Sequence, residues 1–198
     1  MKKSSLKPEL SADIFKHIYP LSQSSFKQME NIFEVSKIEK NELFVHAGQK
    51  NQSEYVILQG YCRSFLLSPD GEEITLAFYK QHDVISPHII RTKNNVSLLN
   101  FQALTELELI QFDSEKFLSL MISNLEIRDF GNTILKNELF RKTEKEIALA
   151  SHTAKERLIR FREEFAMLEN LIPHPIIASY LGITNVSLSR LRADTKNS

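Results

Sequence analysis

Thr184-Asn185-Val186-Ser187, followed by Ser189-Arg190 and Arg192, is the stretch of this chain best suited to recognition chemistry. An Arg offers a bidentate fork to guanine, an Asn pairs with adenine in the same two-pronged way, and an exposed Val meets a thymine methyl. The residues around them explain how such a face would be held. Over 175–192 the pattern reads as two short helices meeting at an angle. Pro175 suits a first helical turn, where its missing N–H is not needed. Ile177 and Leu181 face inward, and Ala178 is small where a second helix would cross. Gly182 stands where a tight turn needs positive φ, Ile183 plugs the corner, and Thr184 caps the next helix. Leu188 and Leu191 close the core from that helix. This is the helix-turn-helix pattern. A plain αα-corner shares the Gly turn. It does not call for an outward face of short and base-reading side chains instead of a Glu/Lys mixture.

Other chemistry is thinly represented. His46, His82 and His88 lie in one region but lack a His-x-His pair that would set two metal ligands on one strand face. Satisfied or exposed histidines are the simpler role. Cys62 is the sole cysteine, so neither a disulfide framework nor a multi-cysteine iron–sulfur site is available. In a strand it reads as a small buried hydrophobe. No Ser-His-Asp signature, phosphate loop or paired metal carboxylates appear, so no catalytic and no metal residue is assigned.

The elements that must carry the recognition face follow from composition and period. Of 198 residues 42 % are hydrophobic and 25 % charged, ordinary values for a chain that buries a core. The 25 basic and 25 acidic residues cancel, which excludes a generally basic nucleic-acid coat but not one local basic face. Residues 174–198 supply that bias, with Arg190, Arg192 and Lys196 against Asp194. No apolar run approaches the ~20 residues that span a bilayer, so a cytoplasmic protein without membrane contact is expected.

Residues 8–34 read as short helices. From 35 to 112 the period drops to two, and Asp70-Gly71 between two β-branched and aromatic runs signals a hairpin. This block reads as an all-β sandwich or barrel. From 113 onward the pattern is helical. Ser123 with Glu126 fits a capping box that opens a helix of 123–150, roughly 40 Å long. Ile127, Phe130 and Ile134 form its apolar stripe, and Gly131 implies a close approach. The helix either lies across the β block or meets its own copy in a dimer; its length and polar surface favour the dimer. Thr153 with Glu156 repeats the capping box, which sets a hinge at 151–153. The expected domains are 1–150 and 151–198.

A β block, a long helix and a C-terminal helix-turn-helix, in that order, resemble the Crp/Fnr family of bacterial transcription regulators. Ile-Ala-Ser-Tyr-Leu-Gly-Ile-Thr followed by Ser-Leu-Ser-Arg-Leu-Arg is very similar to the family's recognition segment, and Glu156-Arg157-Leu158 is similar to its preceding helix. Gly48, Gly60 and Gly71 fall where the family's β-roll has turn glycines. The resemblance implies an α+β fold: an antiparallel cyclic-nucleotide-binding-like β-roll, a dimerisation helix and a C-terminal helix-turn-helix. Asn185, Val186 and Arg190 match the base-contacting positions; Val186 stands where the family usually has an acidic residue, so the operator should differ. The sequence ends six residues after Arg192, which implies that the wing hairpin is missing.

The family's Gly-Glu and Arg-Ser/Thr pairs, which hold ribose and phosphate, correspond to Ser86-Pro87 and Ser97-Leu98. A buried cyclic phosphate would lack its charge partner there, so cyclic AMP binding is not expected and no cofactor is assigned. Phe78, Ser86, His88 and Ser97 are the candidate lining of a pocket for some other effector. Phe65, Tyr79 and Phe101 could join them but read more simply as core.

The reading that follows is a homodimer on double-stranded DNA, with two recognition helices about 34 Å apart on one side of the duplex. Asn185, Val186 and Arg190 read bases, while Thr184, Ser189 and Arg192 contact phosphate. RNA polymerase is a further partner that the resemblance implies. Two alternatives come from other classes. One is a cupin-like metal-dependent enzyme with packing helices; the other is a ligand- or protein-binding module with a vestigial DNA reader.

Overall fold

The computed structural model describes the backbone of residues 2–4, 8–85 and 87–194, with side chains from Asp13 onward within those ranges. The chain opens with β1 (Lys2–Ser4), α1 (Pro8–Ile18) and α2 (Gln23–Glu30). Then come β2 (Phe33–Ile38), β3 (Leu43–Val45), β4 (Ser53–Gln59), β5 (Cys62–Leu67), β6 (Glu73–Tyr79) and β7 (Val84–Ile85). A short helix α3 (His88–Arg91) precedes β8 (Thr92–Lys93), β9 (Val96–Ser97), β10 (Asn100–Ala103) and β11 (Leu107–Asp113). The strands form two main antiparallel sheets, β1-β2-β11-β4-β7 and β3-β10-β5-β6, with β8-β9 as a separate ribbon. This is the expected roll. The β5–β6 hairpin turns at Asp70-Gly71, where Gly71 takes φ +84°. Gly60 has φ +94°, and a Cβ there would collide with the Glu106 carbonyl, so only glycine fits that turn.

The helical half differs from expectation in its first joint. Ser123 ends a separate helix, α4 (Ser114–Ser123), capped by Asp113, whose carboxylate accepts from the Glu115 and Lys116 amides. The long helix α5 (Leu125–Ser151) starts two residues late, capped by Asn124 through the Glu126 and Ile127 amides. Glu126 does not reach back to Ser123. Its carboxylate accepts instead from the amide (3.0 Å) and hydroxyl (2.6 Å) of Ser22, tying α5 to the start of α2. An amide cap that satisfies two end donors outcompetes the hydroxyl one position earlier. Gly131 behaves as expected: a Cβ there would stand 2.5 Å from the Met121 methyl and 3.3 Å from the Phe117 ring, so α4 crosses at the glycine.

Ile127, Phe130 and Ile134 require a correction. They are buried in the chain's own core, where the Phe130 ring stacks on Phe15 at 5.3 Å and meets Phe117 edge-on at 6.1 Å. The first half of α5 therefore packs against α1, α4 and the roll and offers no seam. Apart from Leu125 at its start, the helix has its large exposed apolar side chains further on, at Leu139, Phe140, Ile147 and Leu149.

After α5, His152 leaves the helix and Thr153 opens α6 (Ala154–Glu164) with a complete capping box. The Glu156 amide donates to Thr153 Oγ1 (3.2 Å), and the Glu156 carboxylate accepts from the Thr153 amide (2.7 Å). Thr153→Ala should cost about 1 kcal/mol of stability in chemical denaturation. No loss would mean that α6 is held by packing alone.

A 3-10 turn (Leu168–Asn170), α7 (His174–Leu181) and α8 (Asn185–Asp194) complete the chain. Their core is not their own. Leu158, Phe161, Phe165, Leu168, Ile177, Leu181 and Leu188 cluster with Phe78 from β6 and Leu104 after β10, so the C-terminal helices share one apolar interior with the roll.

Candidate nucleic-acid interface

The last two helices assemble as the residue pattern requires. Pro175 lies in the first turn of α7, and Gly182 ends it in the left-handed region at φ +66°. The Ile183 amide closes the corner on the Ala178 carbonyl at 3.0 Å. Thr184 caps α8, its Oγ1 accepting from the Ser187 amide at 3.1 Å. Ile177, Ala178, Leu181 and Leu188 are buried, with Ile183 and Leu191 packed against them. That burial fixes which side of α8 faces out. Thr184, Asn185, Val186, Ser189 and Arg190 are all exposed, and Val186 is 60 % exposed although apolar. Steps of one, three and one place the last four on one face over the first two turns.

Arg192 departs from expectation. Its guanidinium is turned onto the protein, with Nε 3.0 Å from Glu169 Oε1 and Nη1 against His174. Glu169 also accepts from Arg162 at 2.7 and 3.0 Å. Those Arg162 bonds, and then the charges of Arg162 and Arg192, hold the Glu169 carboxyl below the ordinary carboxylate range. The network pins α8 to α6 and the 3-10 turn, so Arg192 positions the helix and is corrected from the phosphate-contact set. No sequence pattern marks it, because Glu169 and Arg192 are 23 positions apart in an ion pair formed only by tertiary packing.

A second contact unseen in the sequence docks α7 on the roll. Ser179 Oγ accepts from the Thr75 amide at 2.8 Å and donates to the Glu73 carbonyl at 2.9 Å, occupying the open edge of β6 as a strand would.

Of the four candidate effector-pocket residues, the three that are described do not form one site. Ser86 lies outside the described residues. Phe78 faces the C-terminal helices, not the roll interior, because alternation along β6 gives that place to Tyr79. His88 uses its ring Nε2 against the Asn51 carbonyl at 2.8 Å, and Ser97 donates its hydroxyl to the Leu99 carbonyl at 2.7 Å. The simpler reading of Phe65, Tyr79 and Phe101 holds: all are buried, as is Cys62.

The roll nevertheless holds a buried cation that the sequence reading does not place. Arg91 is 1 % exposed, donates to the Ser53 carbonyl, and lies over the Tyr55 and Phe101 rings at 5.4 and 5.5 Å. Its charge is met by Glu54, whose carboxylate accepts from the His88 amide at 2.9 Å.

Burial pushes the Glu54 carboxyl up to about 7, against the opposing pull of the His88 amide and Arg91. A carboxyl held above its unfolded value stabilises the fold fully at low pH and loses that contribution as pH rises. Stability should therefore fall between about pH 4.5 and 7, and Glu54→Gln should flatten that part of the curve. Parallel curves for the two proteins would exclude Glu54 as the cause.

Among the described residues no cluster of three or more His, Cys, Asp or Glu side chains could hold a metal ion, and no helix is long and apolar enough to cross a membrane.

Residues 35–124 match the family model described as the cyclic nucleotide-binding domain. The chain is 24 % identical to the regulatory protein HlyX of Actinobacillus pleuropneumoniae, over 87 % of this chain and 76 % of that protein. FixK2 from Bradyrhizobium japonicum superposes with a TM-score of 0.70 at 18 % identity, over 84 % of this chain and 85 % of that one. A transcriptional regulator assigned to the Crp/Fnr family from Eubacterium rectale also superposes at 0.70, with 16 % identity, over 88 and 85 %. The chain thus carries a cyclic nucleotide-binding domain and has the fold of Crp/Fnr regulators. These relatives are regulatory proteins and not enzymes, which counts against the cupin-like alternative. α8 lies outside the matched residues.

Proposed function

We propose that this Crp/Fnr-type regulator binds double-stranded DNA as a cytoplasmic homodimer and reads a palindromic operator with the outer face of α8. The observation that carries this reading is the state of that face. Asn185, Val186, Ser189 and Arg190 stand exposed together on a helix whose other side is buried and whose start is capped. An exposed valine among base-pairing side chains gains nothing in water, whereas against a thymine methyl it buries apolar surface. Thr184 and Ser189 flank the base-reading residues as phosphate contacts. The dimer seam in this reading is the exposed apolar part of the second half of α5, at Leu139, Phe140 and Ile147.

Cyclic AMP is not an effector in this reading. The two buried arginines of the roll are both engaged, Arg91 with Glu54 and the Ser53 carbonyl and Arg63 with Glu73 and Gln102, so an added phosphate would compete with carboxylates of the chain itself.

Operator selection from a random duplex pool tests the proposal. Enriched sequences should share an inverted repeat with half-sites about one helical turn apart, bound by two copies of the chain. Absence of enrichment, or binding of a single half-site by one copy, would overturn it.

A further inference from the structure

A cleft of about 430 Å³ lies between β6, the second half of α5, α6 and α7, within the size range of small-molecule sites. It borders the roll interior at Ser64, Tyr79 and Leu99 and lies apart from the exposed residues of α8. Its wall sets rings beside cations, with Glu138, Glu144, Glu146 and Glu164 also in the lining; none of these glutamates is among the groups that shift Lys145. The Arg141 guanidinium lies over the Tyr79 ring at 4.3 Å, and the Lys145 ammonium over the Tyr180 ring at 4.1 Å. Phe161 and Leu149 complete the apolar side.

The two cations are not equivalent. Arg141 is matched by Glu138, to which it donates through Nε at 3.0 Å, and Glu138 also faces Lys142 at 3.4 Å. Lys145 points at two carbonyls of the β6 edge, Leu76 and Thr75, which leaves its third N–H donor for something else. Burial, and then the like charges of Arg141 and Lys142, lower its pKa to about 8. A desolvated ammonium whose dominant charged neighbours are cations is a place where an arriving anion relieves repulsion.

We infer that this cleft binds a small aromatic anion, its ring against Tyr180, Phe161 and Leu149 and its carboxylate or sulfonate on the Lys145 ammonium. Because the walls come from the roll, from α5 and from α7, such a ligand would fasten the reading helices to the roll. That regulatory meaning rests on the DNA-binding reading above, whereas the site itself does not.

The test uses the full chain without DNA, so its failure leaves the operator reading untouched. Calorimetric titration with salicylate and with its uncharged analogue salicylamide reads the charge requirement, and 1-anilinonaphthalene-8-sulfonate serves as a displaceable probe. One salicylate per chain is expected, displacing the probe, with salicylamide weaker by about tenfold or more. Lys145→Met should weaken salicylate by a similar factor, and Lys93→Met, on the exposed β8–β9 ribbon, should leave it unchanged. Should Lys145→Met fold poorly, intermolecular NMR contacts on the wild-type chain decide. Ring protons of bound salicylate should touch Leu149 and Leu181 methyl groups. Equal binding of the two analogues, full affinity in a folded Lys145→Met, contacts confined to other parts of the chain, or no binding of any probe would each overturn the inference.

Discussion

Phe78→Ala should lower folding stability by about 3–5 kcal/mol, a large share of what a chain of this size possesses. The ring is 2 % exposed, with its centroid 4.8 Å from that of Tyr180 and 5.6 Å from those of Phe161 and Phe165. Truncation leaves a cavity bounded by two structural units, and neither can collapse into it without moving the other. The loss should appear in urea denaturation as an earlier midpoint. The α6–α8 signal should fall first, because that unit has no other large apolar anchor on β6. A change under about 1 kcal/mol would show that the C-terminal helices stand without the roll.

Arg190→Ala should weaken binding to a selected operator by about 1–3 kcal/mol, roughly five- to 150-fold, and relax the preference at one base position. Non-specific binding should change far less, since Arg190 is assigned a base edge and not a phosphate. Competition binding against operators varied one position at a time reads both effects. Equal affinity of the two proteins would remove Arg190 from the interface. The contrast with Arg192 sharpens this expectation. Its guanidinium is held by Glu169, so Arg192→Ala should act first through the placement of α8, with a loss of stability that accompanies any loss of affinity.

The two helices that carry this interface were legible residue by residue, because each position answers to a local rule: proline in a first turn, glycine at positive φ, a threonine cap, apolar spacing of four. The roll was legible for a similar reason, its period of two being broken by turn glycines. What escaped were facts of tertiary origin. Ile127, Phe130 and Ile134 form an apolar stripe whether their partner is another copy or Phe15 and Phe117, and a stripe does not name its partner. Ser123 and Asn124 both cap helices well, and a one-residue choice between them depends on where α4 must end. The Arg91–Glu54 pairing and the Ser179 bridge join residues 37 and 104 positions apart, beyond the reach of any periodicity. Cationic residues at 141, 142 and 145 on α5 were the one available sign of the cleft, since steps of three and four put them on a single helix side.

The bridge from Ser179 to β6 has a bearing on how the chain is made. β6 is the outermost strand of its sheet, and the groups that satisfy its free backbone come from Arg141, Lys145 and Ser179. During synthesis that border is complete long before its cover exists, because Ser179 follows Thr75 by 104 positions. Nascent copies on neighbouring ribosomes thus display naked ladders to one another throughout that interval, the situation in which strands of separate molecules join. Fragments that stop short of α7 would leave the Thr75 amide and Glu73 carbonyl of that border bare permanently, and clumping, more than loss of the reader itself, would set their fate.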